Sequence, residues 1–199
     1  MPVLNVIAGP NGSGKSTLIA YLQNHGLELG TYINADDIAW AHGLQGEKGS
    51  RDAQTLADAA REDCLRKRED FTFETVMSHD SKISFMARAR EEGFKVYLYF
   101  VCTDTYVINI QRVKHRVLAG GHDVPEDRII ARYGRTLSLL HLAIANADRT
   151  ILFDNSVHYE NADHSLRPLA MIEKAGIGHR LVVKGVTPSW ALEIVAQYS

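Results

Sequence analysis

Ten residues near the start of the chain, AGPNGSGKST at 8–17, constrain it more than any other stretch. They follow a short β-branched run, PVLNVIA at 2–8, and lead into a helical pattern at 15–25 with Leu18, Ile19 and Leu22 on its inner side. Gly9, Gly14, Lys15 and Ser16 fit G-x-x-x-x-G-K-[ST], and a strand-to-helix setting is the context that motif requires. Glycine lets the backbone take positive φ, so that successive N–H groups converge on one concavity, and the helix adds the partial positive charge of its N-terminus. Gly9, Pro10, Asn11, Gly12, Ser13, Gly14, Lys15, Ser16 and Thr17 are therefore the expected nucleotide loop, with ATP the default ligand. In such a loop Lys15 reaches the β- and γ-phosphates, Ser16 ligates Mg²⁺ and Thr17 lies by the α-phosphate.

The rest of the chain alternates. Strands are expected at 2–8, 31–34, 71–76, 95–103 and 149–155, and helices at 15–25, 51–69, 81–93, 105–118 and 126–147, with a loop at 119–125. This alternation predicts an α/β fold of the P-loop NTPase type, with a mainly parallel five-stranded sheet flanked by helices. A C-terminal hairpin around 168–185 and a last helix at 189–197 make up a tail over about 156–199. With 199 residues and no linker or repeat, residues 1–199 form one expected kinase-sized domain.

Composition narrows the partners. A formal charge of −2 offers no general attraction to nucleic acid or to anionic membrane, so an anionic ligand must be met by local basic groups. No apolar run spans a bilayer and no signal-peptide pattern opens the chain, which points to the cytoplasm. Cys64 and Cys102 lack CxxC spacing and read as core thiols. His25, His42, His79, His115, His122, His141, His158, His164 and His179 show no metal-ligand spacing.

Acids follow two strands. INADDIA places Asp36 and Asp37 just past the second, at the carboxyl edge where ligands of an open parallel sheet bind. One of them can act as base toward a substrate hydroxyl and help hold the metal; the other, or both, can cap the next helix. Asp36 is the choice for the base and the metal, Asp37 for the cap. In FTFETV, Glu74 is a carboxylate inside an apolar strand, costly unless paired or bound, and with Thr75 it is an expected substrate contact. An edge position would also explain it.

Between 105 and 147, Arg112 and Arg116 share one helix face and Arg128, Arg132 and Arg135 another, around Gly120 and Gly121. Two such helices form an expected lid that closes over the reacting groups, excludes water and neutralises the transferring phosphoryl group. The alternative is a solvated face paired with Glu126 or Asp127.

GPNGSGKST, INADDIA, FETV, the arginine segment with GGHDVP, and ILFDNS, in that order over residues 3 to 155, resemble the zeta-toxin family of P-loop kinases. The resemblance implies phosphorylation of the 3′-hydroxyl of UDP-N-acetylglucosamine with ATP and Mg²⁺, and restraint by an antitoxin protein. It implies Lys15 and Ser16 as nucleotide and metal residues, Asp36 as base, Glu74 and Thr75 as substrate contacts, and Arg116 and Arg132 as phosphate-stabilising arginines, with Arg135 a rival for the last role. A second class of function is an ATP-dependent switch or ATPase module acting through a protein partner. No transporter signature LSGGQ and no NKxD of a GTPase is present.

Overall fold

The computed structural model describes residues 1–156, 166–176, 178–183 and 186–199. His158 and His164, and the rest of the tail within 157–165, lie outside the described residues. The strands are β1 (Val3–Ala8), β2 (Thr31–Ile33), β3 (Phe71–Thr75), β4 (Lys95–Cys102), β5 (Arg149–Asp154), β6 (Arg167–Ala175) and β7 (Gly178–Val183). The helices are α1 (Lys15–Asn24), α2 (Ala35–Ala41), α3 (Gly46–Lys67), α4 (Ser81–Glu91), α5 (Tyr106–Leu118), α6 (Glu126–Ala145) and α7 (Leu192–Tyr198).

One sheet in the order β2-β3-β1-β4-β5-β6-β7 carries the molecule. The first five positions are parallel, as expected, while β6 and β7 continue the sheet antiparallel. The sheet therefore has seven strands and not five. The hairpin expected in the tail is present, but it pairs with β5, whose outer N–H and C=O groups would otherwise form an open edge.

Residues alternate between the two faces, as the period of two requires. Leu4, Val6 and Ala8 of β1, with Val96, Leu98 and Phe100 of β4, enter the larger apolar cluster with α3, α4, α6 and α7. Ile7, Tyr99 and Val101 point the other way, onto Leu18 and Leu22 of α1. Cys64 and Cys102 are buried thiols.

Two details set the site. Helix α3 begins at Gly46, five residues before the expected start at 51, and within its first turns Gly49 lies so close to Leu44 that a Cβ would come within 2.7 Å of the Leu44 carbonyl carbon. Asp154, at the end of β5, accepts from Trp190 Nε1 at 3.2 Å and Arg167 at 3.2 Å. That ties the C-terminal segment to the strand end beneath the nucleotide loop. Among the described residues, no helix is long and apolar enough to cross a membrane.

Candidate active site

The loop between β1 and α1 is shaped by its glycines. Gly12 has φ +76, and a Cβ there would meet the carbonyl oxygen of Asn109 at 2.5 Å, so the residue is fixed both by conformation and by space. Gly12→Ala should cost about 1–3 kcal/mol through left-handed backbone strain and displacement of α5. Thermal denaturation should show a fall in Tm of several degrees. Asn155, just past β5, donates to the carbonyl of Ser13 at 2.8 Å and props the loop from below.

Helix α1 starts at Lys15 with no side-chain cap and no acid in its first turn, which leaves its leading N–H groups to an external anion. The Lys15 side chain is 9% exposed, and its ammonium donates to the carbonyls of Gly9 at 3.1 Å and Pro10 at 3.2 Å. Burial lowers its pKa; Glu74 and Asp36 oppose that shift and Arg116 adds to it. The four charges thus act on one another across one cleft.

Glu74 is neither at an edge nor free. Its carboxylate lies 3.7 Å from the Lys15 ammonium and accepts from Tyr32 Oη and Asn34 Nδ2, each at 3.2 Å. That network stabilises a carboxylate in a half-buried position. Burial, then the Glu74 charge, holds the Tyr32 phenol well above its usual range, so it remains a donor. Thr75 Oγ1 accepts from the Met77 amide at 3.0 Å, and Met77, buried, adopts φ +56. The turn after β3 is therefore strained, and Thr136 of α6 holds it by donating to the Val76 carbonyl at 2.9 Å.

The acidic pair divides. Asp36 faces the cavity and Asp37 does not line it. The expected cap is corrected: Asn34 is the N-cap of α2, accepting from the Asp36 amide at 2.8 Å, while Asp36 and Asp37 occupy the first turn. Asn34 has the same short acceptor and, three residues before Asp37, the extended backbone that a cap requires.

The arginines also divide. Arg132, half-buried, donates to Asn11 Oδ1 of the nucleotide loop at 3.3 Å. Burial and the like charges of Arg128 and Arg135 push its pKa down, against the pull of Asp36. Arg116 donates to the His122 carbonyl at 2.7 Å, across the α5–α6 connection, and lines the same cavity. Arg128 pairs with Glu47 at 2.6 Å, linking α6 to the start of α3. Arg112 is turned away, donating to the Asn155 carbonyl at 2.8 Å, and Arg135 is exposed outside the cavity lining. Glu126 pairs with Lys114, not with an arginine of its own helix.

The cavity has a volume of about 370 Å³, with Lys15, Asp36, Glu74, Thr75, Arg116 and Arg132 on its walls. Ser16 and Thr17 are exposed in the first turn of α1. These residues fit a triphosphate: a concave loop, an uncapped helix start and a buried ammonium. Among the described residues, no three His, Cys, Asp or Glu side chains gather into a metal site. A hard cation would thus need ligand oxygens beside Ser16 and Asp36, as Mg²⁺ commonly does.

Some site residues left weak traces in the sequence. Arg61 lies on the buried stripe of α3 with Gly49, Ala53 and Ala57, a recurrence every four residues that was available to inspection. Lys82, Tyr32 and Asn155 carried no comparable signal.

A family profile described as Zeta toxin matches residues 1–157. An uncharacterized protein of Haemophilus influenzae is 34% identical over 126 residues, which is 63% of this chain and 88% of that protein. Among solved structures, a chain from the PezAT chromosomal toxin–antitoxin system of Streptococcus pneumoniae aligns with a TM-score of 0.55 at 16% identity, over 83% of this chain and 75% of its own. A chain of the AvrRxo1-ORF1:AvrRxo1-ORF2 complex aligns with a TM-score of 0.67 at 18% identity, over 100% of this chain and 63% of its own. At these identities the two structures bear on the fold.

Proposed function

The chain belongs to the zeta-toxin family, and from that premise we propose that it is an ATP-dependent kinase of a sugar hydroxyl, with UDP-N-acetylglucosamine the acceptor. One observation carries the reading: a cavity where the loop ammonium of Lys15, the carboxylate of Asp36 and the guanidinium groups of Arg116 and Arg132 share one space. A nucleotide switch could use such a carboxylate for its metal, but it has no need of a base for an acceptor hydroxyl, and that role is what the reading assigns to Asp36.

In this reading the loop amides and Lys15 hold the β- and γ-phosphates. Asp36 accepts the proton of the acceptor hydroxyl as its oxygen bonds to the γ-phosphorus and the bond to the ADP oxygen breaks. Arg132 and Arg116 neutralise the charge that spreads over the equatorial oxygens. Glu74 and Thr75 orient the acceptor, Glu74 also fixing Lys15. Ser16 and Asp36 would hold Mg²⁺, which would supply further neutralisation of the phosphates. Residues 105–147 act as the lid, and the ion pair of Arg128 with Glu47 marks where it meets α3. An antitoxin is the proposed protein partner. Trp40, 88% exposed and one helical turn from Asp36, is the kind of aromatic that anchors interfaces.

The test is to incubate the protein with Mg·ATP and a panel of sugar nucleotides, nucleosides and free sugars, and to look by phosphorus NMR for a new phosphomonoester. UDP-N-acetylglucosamine should gain one; ADP formation with no phosphorylated acceptor would overturn the reading. Asp36→Asn should lower acceptor-dependent turnover by about 10²-fold, the scale of a lost general base, while ATP still binds. An undiminished rate would remove Asp36 from its role.

A further inference from the structure

The charges lining the cavity fall into two groups. Lys15, Arg61, Lys82, Arg116, Arg128 and Arg132 face Asp36, Glu74 and Asp123, a surplus of cations in a chain whose formal charge is −2. Arg128 spends its charge on Glu47, and Lys15, Arg116 and Arg132 gather at the nucleotide loop. Arg61 and Lys82 come from α3 and α4 instead. They border a second hollow of about 480 Å³ that no residue of the nucleotide loop lines, where the like charge of Arg61 acts on Lys82.

Arg61 is an unusual occupant of its place. It is 3% exposed, on the buried face of α3, with its guanidinium 5.0 Å from the centre of the Phe73 ring and 6.0 Å from that of Phe85. A cation is costly to bury, and an aromatic floor offsets only part of that cost. Its acidic neighbours are Asp58, which also accepts from Lys82 at 2.8 Å, and Glu62, which lines the same hollow and pairs with Arg88. Asp58, an exposed carboxylate, thus bridges the two desolvated cations, while Glu62 is shared between Arg61 and Arg88. Burial and the Arg61 charge bring Lys82 down to about 8, which leaves it largely protonated near neutrality.

We propose that Arg61 and Lys82 form a subsite for an anionic group of the acceptor, a phosphate or diphosphate ester, at a distance from the hydroxyl that Asp36 addresses, with Asp58 as its built-in counter-charge. The inference rests on the kinase reading for the word acceptor. Specificity follows from the chemistry: a planar guanidinium and an ammonium together match the several oxygens of a phosphate ester, and an uncharged sugar has nothing to offer them.

The probe is inorganic pyrophosphate, titrated calorimetrically into the full chain saturated with ADP so that the nucleotide loop is filled. The wild type should bind it. Lys82→Met should weaken binding by about tenfold or more, the scale of a lost charge-assisted contact. Asp58→Asn should tighten it, because a competing carboxylate is gone. In turnover, Lys82→Met should raise KM for UDP-N-acetylglucosamine while KM for ATP, and any turnover of free N-acetylglucosamine, stay put. A wild type that fails to bind pyrophosphate overturns the subsite, as do variants that bind it alike, or that both weaken as a general structural loss would make them. Pyrophosphate binding that obeys Lys82 and Asp58 without any phosphomonoester product keeps the subsite and removes the kinase. The converse pattern keeps the kinase and removes the subsite.

Discussion

Lys15→Met should reduce phosphoryl transfer by at least ~10³-fold, beyond the effect of losing one preorganised donor, because the same ammonium serves both the donor phosphates and the Glu74 network. Methionine keeps the unbranched stem that fills the 9%-exposed position and deletes only the charge. The two carbonyls that accept from Lys15, those of buried Gly9 and Pro10, lose that donor, which costs some stability. Glu74 keeps Tyr32 and Asn34 as donors. The fold should therefore survive with a modest fall in Tm, the lost contacts to Glu74 and the two carbonyls being offset in part by removal of a desolvated ammonium from the interior. Stopped-flow ADP release and a melting curve on the same preparation read both effects. ATP consumption at the wild-type rate would end the assignment of this loop to the nucleotide.

That contrast between a functional loss and a surviving fold also explains what could be read from the chain. The strand cores and the glycine loop were legible because each obeys a local rule: β-branched runs for buried strands, and glycine where φ is positive. The lid arginines were legible as a face, yet not as individuals, because helical spacing says which side chains share a side and not which of them a neighbouring element will claim. Arg112 turns to the Asn155 carbonyl and Arg135 to solvent, and both choices depend on β5 and on the angle of α6 to the sheet. The capping residue was misplaced by three positions, Asp37 for Asn34, because Asp and Asn compete for the same role and only backbone geometry separates them. The hairpin was legible as a hairpin, but its union with β5 is a long-range pairing that local sequence does not encode. Arg61 was hidden by composition: inside the charged run REDCLRKRED, a single buried arginine looks like the rest, and only the stripe of small residues before it marks the inward face.

Arg132→Ala should lower kcat by ~10³-fold or more, the range known for an arginine that stabilises the phosphoryl-transfer transition state, with little change in ATP affinity. The guanidinium already reaches the nucleotide loop, bonded to Asn11 at 3.3 Å, so little rearrangement stands between its resting contact and the γ-phosphate. Truncation leaves Asn11 half-exposed, where water can replace the lost donor, so the defect should not come from misfolding. Arg132→Lys should recover only a small part of the rate, because a point charge cannot reproduce two parallel donors on a planar phosphoryl group. Arg116→Ala should also cost ~10³-fold or more in kcat. Its route differs: the Arg116 guanidinium is anchored on the His122 carbonyl, so its contribution depends on the α5–α6 connection bringing that anchor over the cleft. Single-turnover rates measured at saturating ATP separate the chemical step from binding for both variants. Weakened nucleotide binding with an intact single-turnover rate would show that these arginines grip the donor and do not act on the transition state, and the closing lid would lose its catalytic role.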